Sequence, residues 1–303
     1  MKILLTGASG LVGTALKAAL LSEGHTVCRL VRPDGAKVPG GGALEVPWNP
    51  ATGELGSGAL GADAVVNLAG APIAEARWTA ARKAVLRASR VETTRALVGA
   101  LAKMAERPGV LISASGTGYY GARGDLILTE KSASGQDFLA RLAIDWEAEA
   151  QKGETLGIRV VVLRFGMILA KHGGALPRIM LPFRLGLGGP IGSGRQWLPW
   201  LTLDEAVGMI RFALGNQRVS GSLNAVSPQP VENREFTRTL AALMHRPAIL
   251  PLPVFFLRLA LGEMGEALGL GSQRAVPRVL EELGYHFEHP NLQKALAAVL
   301  AKG

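Results

Sequence analysis

The chain has 303 residues, 48% of them apolar, with one cysteine and a formal net charge of +9. Such a length and apolar share support a sizeable core, in one large domain or a domain with an appended lobe. A lone cysteine, Cys28, excludes an internal disulfide and a thiolate zinc site, so no metal site is expected.

Strand and helix patterns alternate from the start. A short apolar run at 3–6 meets three glycines, Gly7, Gly10 and Gly13, and residues 11–22 follow with apolar side chains at helical spacing. A strand, a tight turn and a helix start in that order form a cradle for a dinucleotide pyrophosphate. Glycine lets the backbone bend and approach the phosphate, and the first helical turn offers unpaired N–H groups and a positive dipole end. Further strands are expected at 26–31, 43–47, 63–68, 110–114 and 158–165, with helices at 79–86, 91–105 and 137–151 between them. Alternation of this kind requires crossover connections and a parallel sheet covered on both faces. The fold class expected is therefore α/β, a doubly wound parallel sheet of the Rossmann type with a smaller mixed C-terminal lobe. Residues 1–170 make the nucleotide-binding domain and 171–303 a substrate lobe packed on it. That lobe is expected to contain helices at 172–185, 204–214, 232–245, 253–268 and 291–301, a strand near 222–227, and a glycine-rich loop at 186–194.

The second strand ends in Arg32, where an NAD-binding chain usually has a carboxylate for the adenine ribose; Asp34 follows only beyond Pro33. A guanidinium there accepts a 2′-phosphate through paired charged hydrogen bonds, which favours NADP(H) as cofactor. The chain lacks a signal peptide pattern and an apolar run of membrane length, which fits a reducing cytoplasm. Its basic residues are scattered and aromatics are 5%, so neither a nucleic-acid nor a membrane partner is expected. The expected partner is a small-molecule substrate of unknown identity, and the sequence leaves the oligomeric state open.

Several motifs carry a resemblance. They are the Gly7-x-x-Gly10-x-x-Gly13 loop, Asn67-Leu68-Ala69-Gly70, Ser113-Ala114-Ser115 leading to Tyr119-Tyr120-Gly121, and Leu163-Arg164-Phe165. With them the chain resembles the short-chain dehydrogenase/reductase superfamily, in its extended, sugar-epimerase-like branch. Ser89-Arg90-Val91-Glu92-Thr93-Thr94, Asp145-Trp146-Glu147 and the stretch 181–194 make it similar, more narrowly, to the atypical NAD(P)-binding epimerase family. The resemblance implies cofactor contacts at Ser9, Gly10, Leu11, Val12, Arg32, Leu68, Ala69, Arg90 and Ile168, beside Gly7, Gly13 and Gly70.

Two departures stand out. Counting back from Glu147 puts Leu139 and Ala143 where the superfamily has its Tyr-x-x-x-Lys pair, and neither transfers a proton. Ser115, Tyr119 and Tyr120 remain as candidate catalytic groups, although Tyr120-Gly121 has an alternative role in shaping the pocket. Leu198 stands where the resemblance expects an arginine for a nucleotide diphosphate, which disfavours a conventional sugar nucleotide. Arg184, Arg195, Trp197 and Trp200 are the candidate substrate residues; the two tryptophans suit an apolar or ring-shaped ligand, although a pair of tryptophans is more often core. Two functions stay open: an NADP(H)-dependent oxidoreductase or epimerase, and a catalytically silent NADP(H)-binding sensor or scaffold.

Overall fold

The computed structural model describes residues 1–32 and 42–301; Asp34 lies outside them. Its centre is an eight-stranded sheet. In chain order the strands of the sheet and its surroundings are β1 (Lys2–Thr6), β2 (Thr26–Val31), β3 (Leu44–Asn49), β4 (Glu54–Leu55), β5 (Ala64–Asn67), β6 (Val110–Gly116), β7 (Ile127–Leu128), β8 (Arg159–Phe165), β9 (Met167–Leu169), β10 (Trp197–Leu198), β11 (Trp200–Thr202), β12 (Gly221–Ala225), β13 (Val231–Glu232) and β14 (Arg274–Ala275). The helices are α1 (Leu11–Ser22), α2 (Ala80–Arg87), α3 (Thr93–Ala102), α4 (Phe138–Gln151), α5 (Leu176–Arg184), α6 (Leu203–Gly215), α7 (Asn233–Leu243) and α8 (Val254–Leu261).

The order across the main sheet is β12-β8-β6-β5-β1-β2-β3-β4, parallel throughout except for β4. This is the doubly wound architecture the alternation predicts. The last strand on one edge, β12, comes from the region assigned to the C-terminal lobe. The chain thus returns to the main sheet after residue 170, and α6 packs with α1 on the same core. A boundary at 170 does not follow the sheet. Its apolar Leu223 and Ala225 are fully buried in that core, which explains why β12 belongs there. The helix expected at 172–185 begins only at Leu176, after Gly173 and Gly174 take positive φ. That expected at 91–105 is entered through a wider turn at Ala88–Glu92.

Strand register positions the functional groups. One sheet face packs its apolar residues Leu4, Val65, Leu111, Val160 and Val162 against α3 and α4. Side chains two residues on return to that face, and there every strand turns polar: Thr6, Asn67, Ser113, Ser115 and Arg164. Register aligns Thr6 with Asn67, Asn67 with Ser113, and Ser115 with Arg164. A polar row therefore lies along the carboxyl ends of the strands, where doubly wound folds bind ligands.

The remaining chain packs around a second core of Leu169, Leu176, Phe183, Trp200, Phe236 and the helix Leu292–Ala301. Three two-stranded sheets tie it down: β9 with β11, β10 with β13, and β7 with β14. Among the described residues no helix is long and apolar enough to cross a membrane.

Candidate dinucleotide and substrate site

The glycine loop is shaped by exclusion of side chains. Gly7 has φ +65°, and a Cβ there would overlap the Leu68 carbonyl. A Cβ on Gly13 would overlap the Gly7 carbonyl. The Gly10 N–H donates to the Gly7 carbonyl at 3.0 Å and closes the turn. Beneath it, the Thr6 hydroxyl donates to Asn67 Oδ1 at 2.7 Å and accepts from the N–H groups of Leu68 and Ala69 at 3.1 and 3.2 Å. Asn67 Nδ2 in turn donates to Thr94 Oγ1 at 2.8 Å, and Trp146 Nε1 donates to the same oxygen at 2.9 Å. The loop is thus clamped to the end of β5 by a buried polar chain.

The helix that follows is open. Side chains cap α2, α4 and α6: Thr79, Asp137 and Thr202 each accept a first-turn N–H. The N-cap of α1 is Gly10, which supplies none. Ser9 and Gly10 are exposed, and Leu11 and Val12 are half-buried. Side-chain-free glycines and an uncapped helix start fit a dinucleotide phosphate. Gly173 and Gly174 back onto the Leu11 side chain, and Gly174 lies beside the Ile168 carbonyl, so Ile168 is brought to the same loop.

Arg32 is exposed at the end of β2. Arg90 differs: it is buried, with Nη2 donating to the Ala71 carbonyl at 2.9 Å and its guanidinium packed where a Gly70 Cβ would be. Burial, and then repulsion from Arg82, lower its pKa to about 10, which leaves it charged at neutral pH. Arg90 thereby fixes the turn that follows β5.

The second half of the polar row is a closed network. Glu147, on α4, receives two bonds from the buried Arg164, Nε at 2.9 Å and Nη2 at 2.7 Å. Ser115 Oγ donates to Glu147 Oε1 at 2.6 Å. A serine has one proton, so Ser115 turns only lone pairs to any further partner. Arg164 Nη1 donates to the Tyr120 hydroxyl at 3.0 Å, and that hydroxyl donates to Asn224 Oδ1 at 2.6 Å. Burial would lower the Arg164 pKa, yet the Glu147 bonds and charge raise it above the ordinary value. Burial pushes Tyr120 up to about 12 against the pull of Arg164.

These contacts correct one expectation. Tyr120 is fully buried with its hydroxyl engaged on both sides, so it braces the network rather than standing free to donate a proton. Tyr119 is half-buried, with the Arg164 guanidinium 3.5 Å from its ring centroid. The positions of the missing Tyr-x-x-x-Lys pair are apolar surroundings. Ala143 is buried, and Leu139 packs in a cluster with Trp78, Leu142, Trp146, Met264 and Ala267. Met264 and Ala267 belong to the same apolar cluster as Leu139.

The candidate substrate residues separate. Trp200 is fully buried, donates through Nε1 to the Gln229 carbonyl at 2.9 Å, and is a core residue rather than a substrate contact. Trp197 is half-buried on β10, bonded to Asp125 at 2.9 Å, with the Arg274 guanidinium 4.3 Å from its ring. Arg184 and Arg195 are exposed, and among the described residues neither forms an ion pair.

Sequence reasoning missed the roles of Glu147, Arg164 and Asn224. A signal was present: the β8 run Val160-Val161-Val162-Leu163-Arg164 places an arginine inside a buried strand, which demands a buried anion. The carboxylate that meets it sits on a helix seventeen residues earlier, and spacing alone does not select it.

The same fold recurs in known proteins. The NAD dependent epimerase/dehydratase family matches residues 3–225, and a domain of unknown function matches residues 252–299. An epimerase family protein of Mycobacterium bovis is 41% identical over 295 residues, covering 97% of this chain and 96% of the relative. The epimerase family protein YfhF of Bacillus subtilis is 39% identical over 308 residues, 99% of this chain and 98% of its own. The crystal structure of human epimerase family protein SDR39U1 with NADPH superimposes with a TM-score of 0.90 at 34% identity over the whole of both chains. With more than two thirds of its length matched and its glycine cradle intact, the chain belongs to the NAD dependent epimerase/dehydratase family.

Proposed function

We propose that the protein binds NADP(H) on the Gly7–Gly13 loop and acts as an oxidoreductase or epimerase on a small molecule at the Ser115 and Tyr119 end of the polar row. The observation that carries the cofactor reading is the glycine turn before α1, where a Cβ on Gly7 or Gly13 would overlap backbone and Gly10 leaves the helix start free of a side chain. The first-turn N–H groups would hold the pyrophosphate, and Arg32, exposed beyond β2, would meet a 2′-phosphate. The human relative crystallised with NADPH supports the same choice.

A bound nicotinamide supplies or accepts the hydride. The residues of this chain bind and orient around it. Ser115 Oγ, its proton drawn to Glu147, accepts a hydrogen bond from a ligand hydroxyl or N–H. Tyr119 is the phenol that remains for proton transfer once Tyr120 is committed to Asn224.

The second reading is a catalytically silent NADP(H) sensor. Leu139 and Ala143, neither able to carry a proton, favour it. Titrating NADPH and NADH into wild type and Arg32→Ala tests the cofactor. Loss of about 10–100-fold in NADPH affinity with NADH unchanged is expected; equal loss for both refutes the role of Arg32. Turnover on a panel of matched alcohols and carbonyls, lost by about 10²-fold or more in Tyr119→Phe, separates enzyme from sensor.

A further inference from the structure

The helix α8 reads Val-Phe-Phe-Leu-Arg-Leu-Ala-Leu, yet only Leu257 is buried. Phe255 and Phe256 are 68% and 58% exposed and Leu259 is 63% exposed. Just before it, Ile249 and Leu250 are exposed as well. This segment is joined to the glycine-rich loop: the Leu250 N–H donates to the Gly188 carbonyl at 3.3 Å and the Leu252 N–H to the Pro190 carbonyl at 2.8 Å. That loop brings its own exposed Leu185 and Leu187. The two joined segments thus carry Leu185, Leu187, Ile249, Leu250, Phe255, Phe256 and Leu259 as exposed apolar side chains, a concentration that marks an interaction surface.

Charge selects what covers it. Residues 171–203, which hold the loop, contain one lysine and three arginines and no aspartate or glutamate. Residues 236–262, which hold α8, contain three arginines and again no acid. Of the carboxylates that border these stretches, Asp204 and Glu235 lie in the first turns of α6 and α7, and Glu263 and Glu266 are paired with Lys83 and Arg258. A second copy seated symmetrically on this face would set these two arginine-bearing stretches against their own like charge. An occupant that is apolar inside and negatively charged outside satisfies both features.

We propose that this face is a peripheral docking site for an anionic lipid bilayer. Phe255, Phe256 and Leu259 enter the headgroup and acyl boundary as a shallow wedge, and the arginines around them, Arg184 and Arg246 among them, meet lipid phosphates. Neither a spanning helix nor a lipid anchor is needed for such contact.

Flotation of the full chain with phosphatidylcholine vesicles, and with vesicles that also contain phosphatidylglycerol, tests the proposal. Wild type is expected to float with the anionic vesicles in about 0.1 M salt, to stay behind with the neutral ones, and to be released at high salt. Phe255→Ser/Phe256→Ser and Arg184→Glu/Arg246→Glu are each expected to lower the partition coefficient about tenfold or more, with an unchanged thermal midpoint by circular dichroism. Equal recovery with both kinds of vesicle, or a partition that neither variant alters, overturns it. So does a wild-type dimer in sedimentation analysis that the phenylalanine variant dissolves, since a second copy would then own the face.

Discussion

The two ends of the polar row solve the same problem with different materials. At the β1–β5 end the working groups are backbone. Glycines press against carbonyls, helix N–H groups are left open, and Thr6 and Asn67 stay underneath as a clamp. At the β6–β8 end the working groups are side chains: Ser115, Glu147, Arg164, Tyr120 and Asn224 come from three strands, one short turn and a helix. A backbone site excludes a Cβ only where backbone meets backbone, as at Gly7 and Gly13. A side-chain site depends on each partner being present, because a buried charge without its counter-charge is costly.

The sharpest test of that contrast is the removal of Glu147. Glu147→Ala leaves Arg164 buried and unpaired and Ser115 without its acceptor, so a loss of about 3–5 kcal/mol in unfolding free energy is expected. Chemical denaturation measures it. Direct effects on NADPH affinity, measured where the variant is still folded, should be small. An affinity loss as large as a glycine substitution produces would make the two ends one unit.

The tyrosines divide the second end further. Tyr120→Phe removes the hydroxyl shared by Arg164 and Asn224, and about 1–3 kcal/mol of stability should go with it. Tyr119→Phe, whose ring faces the Arg164 guanidinium, should be nearly neutral in stability and act on turnover alone. Reversed results would return Tyr120 to the role of proton donor.

Gly10→Ala probes the first end. Its Cβ would lie 3.3 Å from the Gly7 carbonyl, close enough to need only a small adjustment, and φ there is −75°, open to any residue. The fold should persist, while the methyl group obstructs the approach of the pyrophosphate. An NADPH affinity lower by about tenfold or more, roughly 1.4 kcal/mol, is expected by calorimetry, with the melting midpoint little changed. An affinity that does not change would mean that the loop is not the phosphate cradle.

The same contrast explains what the sequence disclosed. Backbone sites write themselves as glycine spacing and strand–helix order, so the parallel sheet and the Gly7, Gly10, Gly13 loop are legible without a structure. Ser115 was legible as a position, but its direction of donation was not, because that is set by Glu147 from α4. Trp200 and Tyr120 read as functional since large aromatics near a glycine loop suit either a pocket or a core; their polar atoms find internal partners and decide for the core. Arg90 is a buried arginine whose partners are carbonyls, and carbonyls leave no mark in a sequence. The strand near 222–227 was legible, but its place at the edge of the main sheet was not, because the glycine-rich loop, β10 and β11 separate it from the other strands along the chain.

Glu130 gives the smallest effect and a pH signature. Its Oε1 accepts the N–H groups of Asn224 at 3.0 Å and Val279 at 3.3 Å, while Oε2 is buried without a partner. Burial raises its pKa above the usual carboxylate value, against the pull of those two N–H donors. A carboxyl raised in the folded state binds its proton more tightly there than in the unfolded chain. Its contribution to stability is therefore fully present below the unfolded pKa and is lost as pH rises through the folded one. Glu130→Gln keeps Oε1 for the two N–H groups and carries no charge to bury. The variant should lose part of the decline in stability that wild type shows as pH climbs through and just above the carboxylate range. Its advantage over wild type should grow across the same interval. Melting midpoints of both proteins, followed from acid to neutral pH, decide it. Two curves that stay parallel would show that the buried Oε2 carries no cost, and that the side-chain end of the row is as forgiving as the glycine end.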